Sequence, residues 1–196
     1  MSMSMRNAVL PMLAERIAVS GALGALRILA TDTAVVAIYF ADHHRARALP
    51  ARQLGPGVRH DLLDRAALEL EEYLHGARRS FTLPLAAGGT PFQRAVWDAL
   101  TAIPFGETRS YSEIALAIGR PRAVRAVGAA NALNPISVVV PCHRVIGSSG
   151  DLTGYAGSME RKRWLLGHER THVAAALRPE APRPRGVSSS RSEARP

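Results

Sequence analysis

The chain has 196 residues, 47% of them hydrophobic and 21% charged, the balance of a globular protein with room for one domain or two small ones. A single cysteine excludes an intramolecular disulfide and any zinc site built from several thiolates, and it fits a reducing compartment. The net charge of +9 suggests a polyanionic partner such as nucleic acid, although six arginines against two glutamates in residues 170–196 supply +4 of it.

Nothing in the sequence approaches the roughly 20 apolar residues of a membrane span. Arg6, Glu15 and Arg16 interrupt the N-terminal stretch and spoil a signal-peptide core, so we expect a cytoplasmic protein with no membrane partner. Residues 1–20 read as a weakly patterned extension. Gly24 to Leu29 and Ala34 to Phe40 are β-rich runs that read as paired strands. Residues 41–59 are polar, with Gly55-Pro56-Gly57 marking a loop. Leu62, Leu63, Ala66, Ala67, Leu70 and Leu74 recur at helical spacing from Asp61 to His75, and Gly76 ends that helix. Phe81 to Leu85 reads as a short strand and Ala86-Ala87-Gly88-Gly89 as an interdomain linker.

Thr90-Pro91-Phe92-Gln93 opens the second half with a capping threonine, a proline at the first helical position and a glutamine at the third, and predicts a helix to about Ala102. Ser110-Tyr111-Ser112-Glu113 is another capping box, opening a helix through Ile118 that stops at Gly119. A third helix is expected from Pro121 to about Ala130, and two helices at this spacing make a helix-turn-helix candidate. A buried strand is expected over Ile136 to Val140, then a turn at Cys142-His143, a glycine-rich loop from Gly147 to Gly157, and a helix capped by Ser158 from Met159 to about Glu169. From Thr171 onward Pro, Arg, Ser and Ala dominate, the composition of a disordered basic tail. These boundaries divide the chain into an extension (1–20), an α/β unit (21–86), a helical unit (87–172) and a tail (173–196).

Cys142 carries the chemical interest. A free thiol has a pKa near 8.5, so it needs a base or a positive neighbour to act as a nucleophile at neutral pH. His143 is adjacent, but successive side chains of an extended strand point to opposite faces, so contact requires a turn or a bridging water. A histidine base also needs a group to fix its tautomer, and Asp151 and Glu169 are the nearest downstream carboxylates. The competing reading is a small buried hydrophobe. Arg122 and Arg125 sit among small residues that would let a helix approach phosphates or bases; the alternative is a solvated basic face. Tyr111 and Tyr155 default to packing and Asn134 to a turn residue. No histidine pair shows ligand spacing, so no metal is expected.

Taken in order, Thr-Pro-Phe-Gln (90–93), Ile-Pro-Phe-Gly-Glu-Thr (103–108), Ser-Tyr (110–111), Arg-Ala-Val-Gly (125–128), Asn-Pro (134–135), Pro-Cys-His-Arg-Val (141–145), Thr-Gly-Tyr (153–155), Trp-Leu-Leu (164–166) and His-Glu (168–169) resemble the O6-alkylguanine-DNA alkyltransferases, also called methylated-DNA–protein-cysteine methyltransferases. The resemblance runs from about Gly24 to Glu169. It implies a ribonuclease-H-like α/β N-terminal domain with a small antiparallel sheet plus helix, followed by a mostly helical, winged-helix-like DNA-binding domain with a helix-turn-helix. It also implies stoichiometric, cofactor-free transfer of an alkyl group from O6 of guanine, with O4-alkylthymine as a further candidate, to a cysteine that stays alkylated.

By position, the resemblance makes Cys142 the alkyl acceptor, His143 the water-bridged base, Glu169 its orienting carboxylate and Asn134 the brace of the active-site turn. It makes Tyr111 the tyrosine that crowds the phosphate and helps protonate the leaving guanine. Arg125 would fill the space of the flipped nucleotide, with Arg122, Ser112, Ala123, Ala126 and Gly128 as further DNA contacts. Tyr155, the Val145 carbonyl and the Ala156 amide would form the guanine pocket, supported by Lys162. The implied partner is double-stranded DNA held through its minor groove by a monomer, with cooperative binding a further option. Three features depart from the family pattern: Arg120 stands where an asparagine cap is common, Ala156 replaces a serine, and the cysteines of zinc-bearing or fused members are absent. Non-catalytic relatives carry tryptophan in place of the cysteine. The alternatives to a suicide alkyltransferase are a module that binds alkylated DNA without transfer and a thiol hydrolase using Cys142 and His143.

Overall fold

The computed structural model describes residues 13–47, 51–54 and 58–176. Its first half is a four-stranded sheet. β1 (Ala14–Ser20) pairs antiparallel with β2 (Gly24–Ala30), and β2 with β3 (Val35–Phe40). The two-residue β4 (Arg52–Gln53) runs parallel to β1, giving the order β3-β2-β1-β4. The sheet is therefore mixed rather than purely antiparallel: Arg52 and Leu54 donate their N–H groups to the Leu13 and Glu15 carbonyls and close the β1 edge. The strand β1 also corrects the expectation for residues 14–20. Its alternation is hidden by two charged residues that the fold satisfies, since Glu15 is buried against Arg27 at 2.5 Å and Arg16 pairs with Asp64.

The helix α1 (Asp61–Leu74) covers the sheet with Leu62, Leu63, Ala66, Leu70 and Tyr73, and the positive φ of Gly76 (77°) turns the chain away at its end. No strand forms over 81–85. Pro84 has no N–H to give a ladder, and Leu85 alone bridges to Val35. Gly55-Pro56-Gly57 and residues from 177 onward lie outside the described residues.

In the second half, α2 (Pro91–Thr101) and α3 (Tyr111–Ala117) both begin with the full reciprocal capping box, Thr90 with Gln93 and Ser110 with Glu113. Gly119 ends the turn after α3 at φ 69°. The next helix, α4 (Val124–Ala132), starts three residues later than expected. Pro121 and Arg122 form a turn, and Ala123 at the N-cap offers no side-chain cap. Trp97 of α2 donates its indole N–H to the Ala130 carbonyl at 2.9 Å and locks α2 against α4. β5 (Arg109–Ser110) and β6 (Val145–Ile146) form a short parallel pair, and α5 (Met159–Ala176) runs seven residues past Glu169. Ser158 accepts a hydrogen bond from the Arg161 N–H at 3.4 Å, as a cap should.

Ile136 and Val138 to Val140 are buried as expected, with Ser137 half-buried, but 136–140 is not a strand. Ile136 alone bridges to Ile38, Val140 N–H folds back to the Ile136 carbonyl, and Val138 sits at φ 72°. A β-branched residue in that region costs on the order of 1–3 kcal/mol, so packing on all sides must hold it there. One apolar core joins the two halves, with Phe40, Ile38 and Tyr73 of the first half in the same cluster as Ile136, Val140, Cys142 and Leu165 of the second. Cys142 lies where the halves meet.

Candidate active site

The turn that carries the thiol is built by two asparagines. Asn134 is buried at the end of α4, where its Oδ1 accepts the Ile136 N–H at 3.0 Å. Its Nδ2 donates to the Val140 carbonyl at 2.8 Å and reaches the Cys142 sulfur at 3.1 Å. Asn131, one helical turn earlier, donates to the Cys142 carbonyl at 3.4 Å. The strained coil at 136–140 is thus tied at both ends to one side chain, and that side chain also aims a hydrogen at sulfur.

Cys142, His143 and Arg144 form one 3-10 turn, which resolves the geometric objection to adjacent residues acting together. The His143 imidazole is fully buried, and its Nε2 lies 3.0 Å from Glu169 Oε1. Its Nδ1 has no hydrogen-bond partner among the described residues. Glu169 is the most heavily bonded group in the site. Arg144 donates to it through Nε and Nη2 at 2.9 to 3.1 Å, Tyr73 Oη donates at 2.6 Å, and the Gly106 N–H donates at 2.9 Å. Arg144 also holds the Ile103 carbonyl at 2.6 Å.

Lys162 enters from α5 and is completely buried. Its ammonium bridges the Val145 carbonyl at 2.6 Å and the Thr153 carbonyl at 2.9 Å, so it ties the thiol turn to the loop that carries Tyr155. The Tyr155 ring meets Phe40 edge-on, with centroids 6.2 Å apart. Tyr111 caps the same loop through its hydroxyl on the Thr153 carbonyl at 3.3 Å.

The charges follow from this packing. Burial pushes the Cys142 thiol up, and the Asn134 hydrogen bond and the Lys162 charge oppose it. Burial lowers His143, against the pull of Glu169, so the imidazole is held neutral. Burial alone would raise Glu169, but hydrogen bonds and charge from His143 and Arg144 overcome it and hold the carboxyl well below the usual range. Burial lowers Lys162 to about 8. Such a cluster can hold a neutral base near a thiol and stabilise a thiolate once formed.

Cys142, His143, Glu169, Asn134, Lys162, Val145 and Tyr155 are therefore brought together, with Tyr111 at the rim. Ala156 lies exposed beside Tyr155. The second group of expected residues forms a separate, exposed face. Arg125 and Ala126 stand out from the first turn of α4, Arg122 from the turn before it, and Ser112 from α3. Ala123 and Gly128 are half-buried, and a Cβ on Gly128 would stand 3.8 Å from the Tyr111 ring. Tyr73, Gly106, Asn131 and Arg144 were not singled out from the sequence. Arg144 lies inside the Pro-Cys-His-Arg-Val run and Gly106 inside Ile-Pro-Phe-Gly-Glu-Thr, but no local signal marks Tyr73 or Asn131. Among the described residues, no group of three or more His, Cys, Asp or Glu could hold a metal ion, and no helix is long and apolar enough to cross a membrane.

The arrangement is an α/β half joined to a helical half around one buried thiol. Residues 91–171 match the model of the 6-O-methylguanine DNA methyltransferase DNA-binding domain. Over 108 residues the chain is 56% identical to the methylated-DNA–protein-cysteine methyltransferase of Methanosarcina barkeri, a match covering 55% of this chain and 68% of that one. It is 66% identical over 88 residues to the Salmonella typhimurium protein of the same name, covering 45% of this chain and 52% of that one. The Mycobacterium tuberculosis O6-methylguanine methyltransferase structure superposes with a TM-score of 0.73 at 41% identity, covering 82% of this chain and 94% of that one. The same organism's OGT in complex with DNA gives the same score and identity. The chain belongs to the methylated-DNA–protein-cysteine methyltransferase family.

Proposed function

We propose that the protein repairs DNA by direct reversal, moving one methyl or other alkyl group from O6 of guanine to Cys142 in a single irreversible event. The observation that carries this is the placement of the lone thiol, 3.1 Å from Asn134 Nδ2 and in one turn with a histidine that is itself hydrogen-bonded to Glu169. In the displacement the sulfur forms a bond to the alkyl carbon as the carbon–O6 bond breaks. The thiol proton passes to His143 Nδ1, directly or through one water, and Glu169 stabilises the imidazolium that results. The guanine leaves as an anion and takes up a proton, a donation we assign to the Tyr111 hydroxyl at the rim. No cofactor enters this sequence.

O6 is shielded in a stacked duplex, so the nucleotide must turn out of the helix at a cost of a few kcal/mol. We assign the exposed α3–α4 face to double-stranded DNA as a helix-turn-helix. Arg125 occupies the vacated space, and Arg122, Ser112, Ala123, Ala126 and Gly128 line a minor-groove contact, where readout is degenerate and suits a protein that must act in any sequence. The small side chains of α4 favour that close approach. Tyr155, the Val145 carbonyl and the Ala156 amide form the base pocket. We read the first half as ribonuclease-H-like and the second as winged-helix-like, divided near residue 86, with the protein acting in the cytoplasm as a monomer. O4-alkylthymine is a further candidate substrate.

Incubation with a duplex containing O6-methylguanine should raise the intact mass by one methylene and place the methyl on Cys142, and Cys142→Ala should keep DNA affinity without gaining mass. Affinity for the lesion with no mass change in the wild-type protein would overturn the assignment in favour of a binding module. Repeated turnover of a small ester would overturn it in favour of a hydrolase.

A further inference from the structure

The four donors on Glu169 come from different places in the chain. His143 and Arg144 arrive from the thiol turn and Gly106 from the loop after α2, but Tyr73 comes from the last turn of α1, in the sheet-bearing half, 96 residues away in sequence. Its side chain is completely buried. The ring is fixed by Phe81 at 5.4 Å, Phe105 at 5.9 Å and His168 at 5.4 Å between centroids. The Tyr73 hydroxyl and His143 Nε2 converge on the same oxygen, Glu169 Oε1, at 2.6 and 3.0 Å. A buried hydroxyl on a charged acceptor is a strong donor, and rings on three sides leave it no other direction to point.

We propose that Tyr73 is a positioning residue for the alkyl-transfer reaction, holding the Glu169 carboxylate against His143 Nε2 and setting how strongly that carboxylate draws the imidazole proton. The inference rests on the reading of His143 and Glu169 as the relay to Cys142. Every donor on Oε1 takes up negative charge that would otherwise favour the imidazolium. Tyr73 thus keeps His143 less basic than an undivided carboxylate would make it, and a neutral His143 is the form able to accept the thiol proton. The hydroxyl itself stays protonated, because burial and the charge of Glu169 push it well above its ordinary value. Besides Tyr73 and Glu169, the ionisable groups facing the imidazole are Arg144, Lys162 and Cys142, with His168 behind Tyr73 and Glu169. Of these, Tyr73 alone comes from the first half of the chain.

The test is the single-turnover rate on an O6-methylguanine duplex as a function of pH. Tyr73→Phe should slow transfer by up to about tenfold, the scale of one hydrogen bond to a charged group. It should also move the acid limb of the profile upward, because His143 becomes easier to protonate. Placing 3-fluorotyrosine at position 73, a stronger donor of the same shape, should move that limb downward, and it serves also if Tyr73→Phe fails to fold. Leu63→Ala, a core truncation ten residues earlier in α1, should lower the melting temperature and leave the limb in place. If neither change at position 73 moves the limb while Glu169→Gln does, Tyr73 is a packing residue and the proposal falls. If Glu169→Gln leaves rate and limb as in the wild type, the relay itself has failed.

Discussion

The thiol cluster and the α3–α4 face are both rich in charge, and they spend it in opposite ways. Around Cys142 every charge is buried and multiply bonded: Glu169 takes donors from four residues, and Lys162 bridges two carbonyls. On α4, Arg125 is solvent-exposed, and the helix begins without a side-chain cap. The first region is organised before any substrate arrives, so its geometry is set by the fold. The second is left to be organised by whatever it meets, which suits a polyanion of variable sequence. Substitutions in the first should therefore cost stability and chemistry together, and in the second only binding.

Glu169→Ala is the harshest way to probe that contrast. It strands Arg144 and the Tyr73 hydroxyl in the interior, and removing one partner of a buried ion pair costs about 3–5 kcal/mol. Chemical denaturation should show that loss along with loss of transfer. A milder Glu169→Gln should narrow its deficit in acid. The fold holds this carboxyl well below its ordinary 4.5, so its stabilisation is complete above that value and fades as pH falls toward the folded value.

Arg125→Ala should leave the melting temperature unchanged and slow transfer from duplex DNA on the order of tenfold, as part of a flipping cost of a few kcal/mol goes uncompensated. Transfer from the free modified base should be unaffected. A matching loss on the free base would show that the two regions are not separable.

Lys162→Met removes the cation that, among the described residues, opposes the upward push of burial on the Cys142 thiol. The alkaline limb of Cys142 reactivity toward a small thiol reagent should move to higher pH. Because burial brings Lys162 down to about 8, the gap between variant and wild type should be widest below that pH. Smallest of all, Arg122→Ala should weaken DNA binding evenly across sequences and reduce the salt dependence by about one phosphate contact.

How much of this was legible in the sequence depended on the range of the interaction. Both capping boxes are local, and both appear with reciprocal bonds at Thr90–Gln93 and Ser110–Glu113. The α1 face follows from helical spacing, and the β2–β3 pair from two β-rich runs close together in the chain. The failures occur where distant groups override a local pattern. Residues 136–140 read as a strand because Val138, Val139 and Val140 favour one, yet Asn134 and the surrounding core bend them into a coil. The charges of β1 masked its alternation because their partners, Arg27 and Asp64, lie elsewhere in the chain. Among the site residues, Cys142 and His143 announce themselves by adjacency. Tyr73 does not, since a tyrosine in an amphipathic helix looks the same whether its hydroxyl meets solvent or a buried carboxylate.

Gly157 carries one more consequence. A single carbon added there would fall 2.2 Å from the Phe40 ring and 2.7 Å from that of Tyr155. The clearance between strand and loop is smaller than a methyl group, so how closely the Tyr155 loop lies on the sheet is decided by Phe40, a residue of the opening sheet. Anyone wishing to fit a bulkier adduct should look first to Phe40, where trimming the ring gives Tyr155 somewhere to retreat.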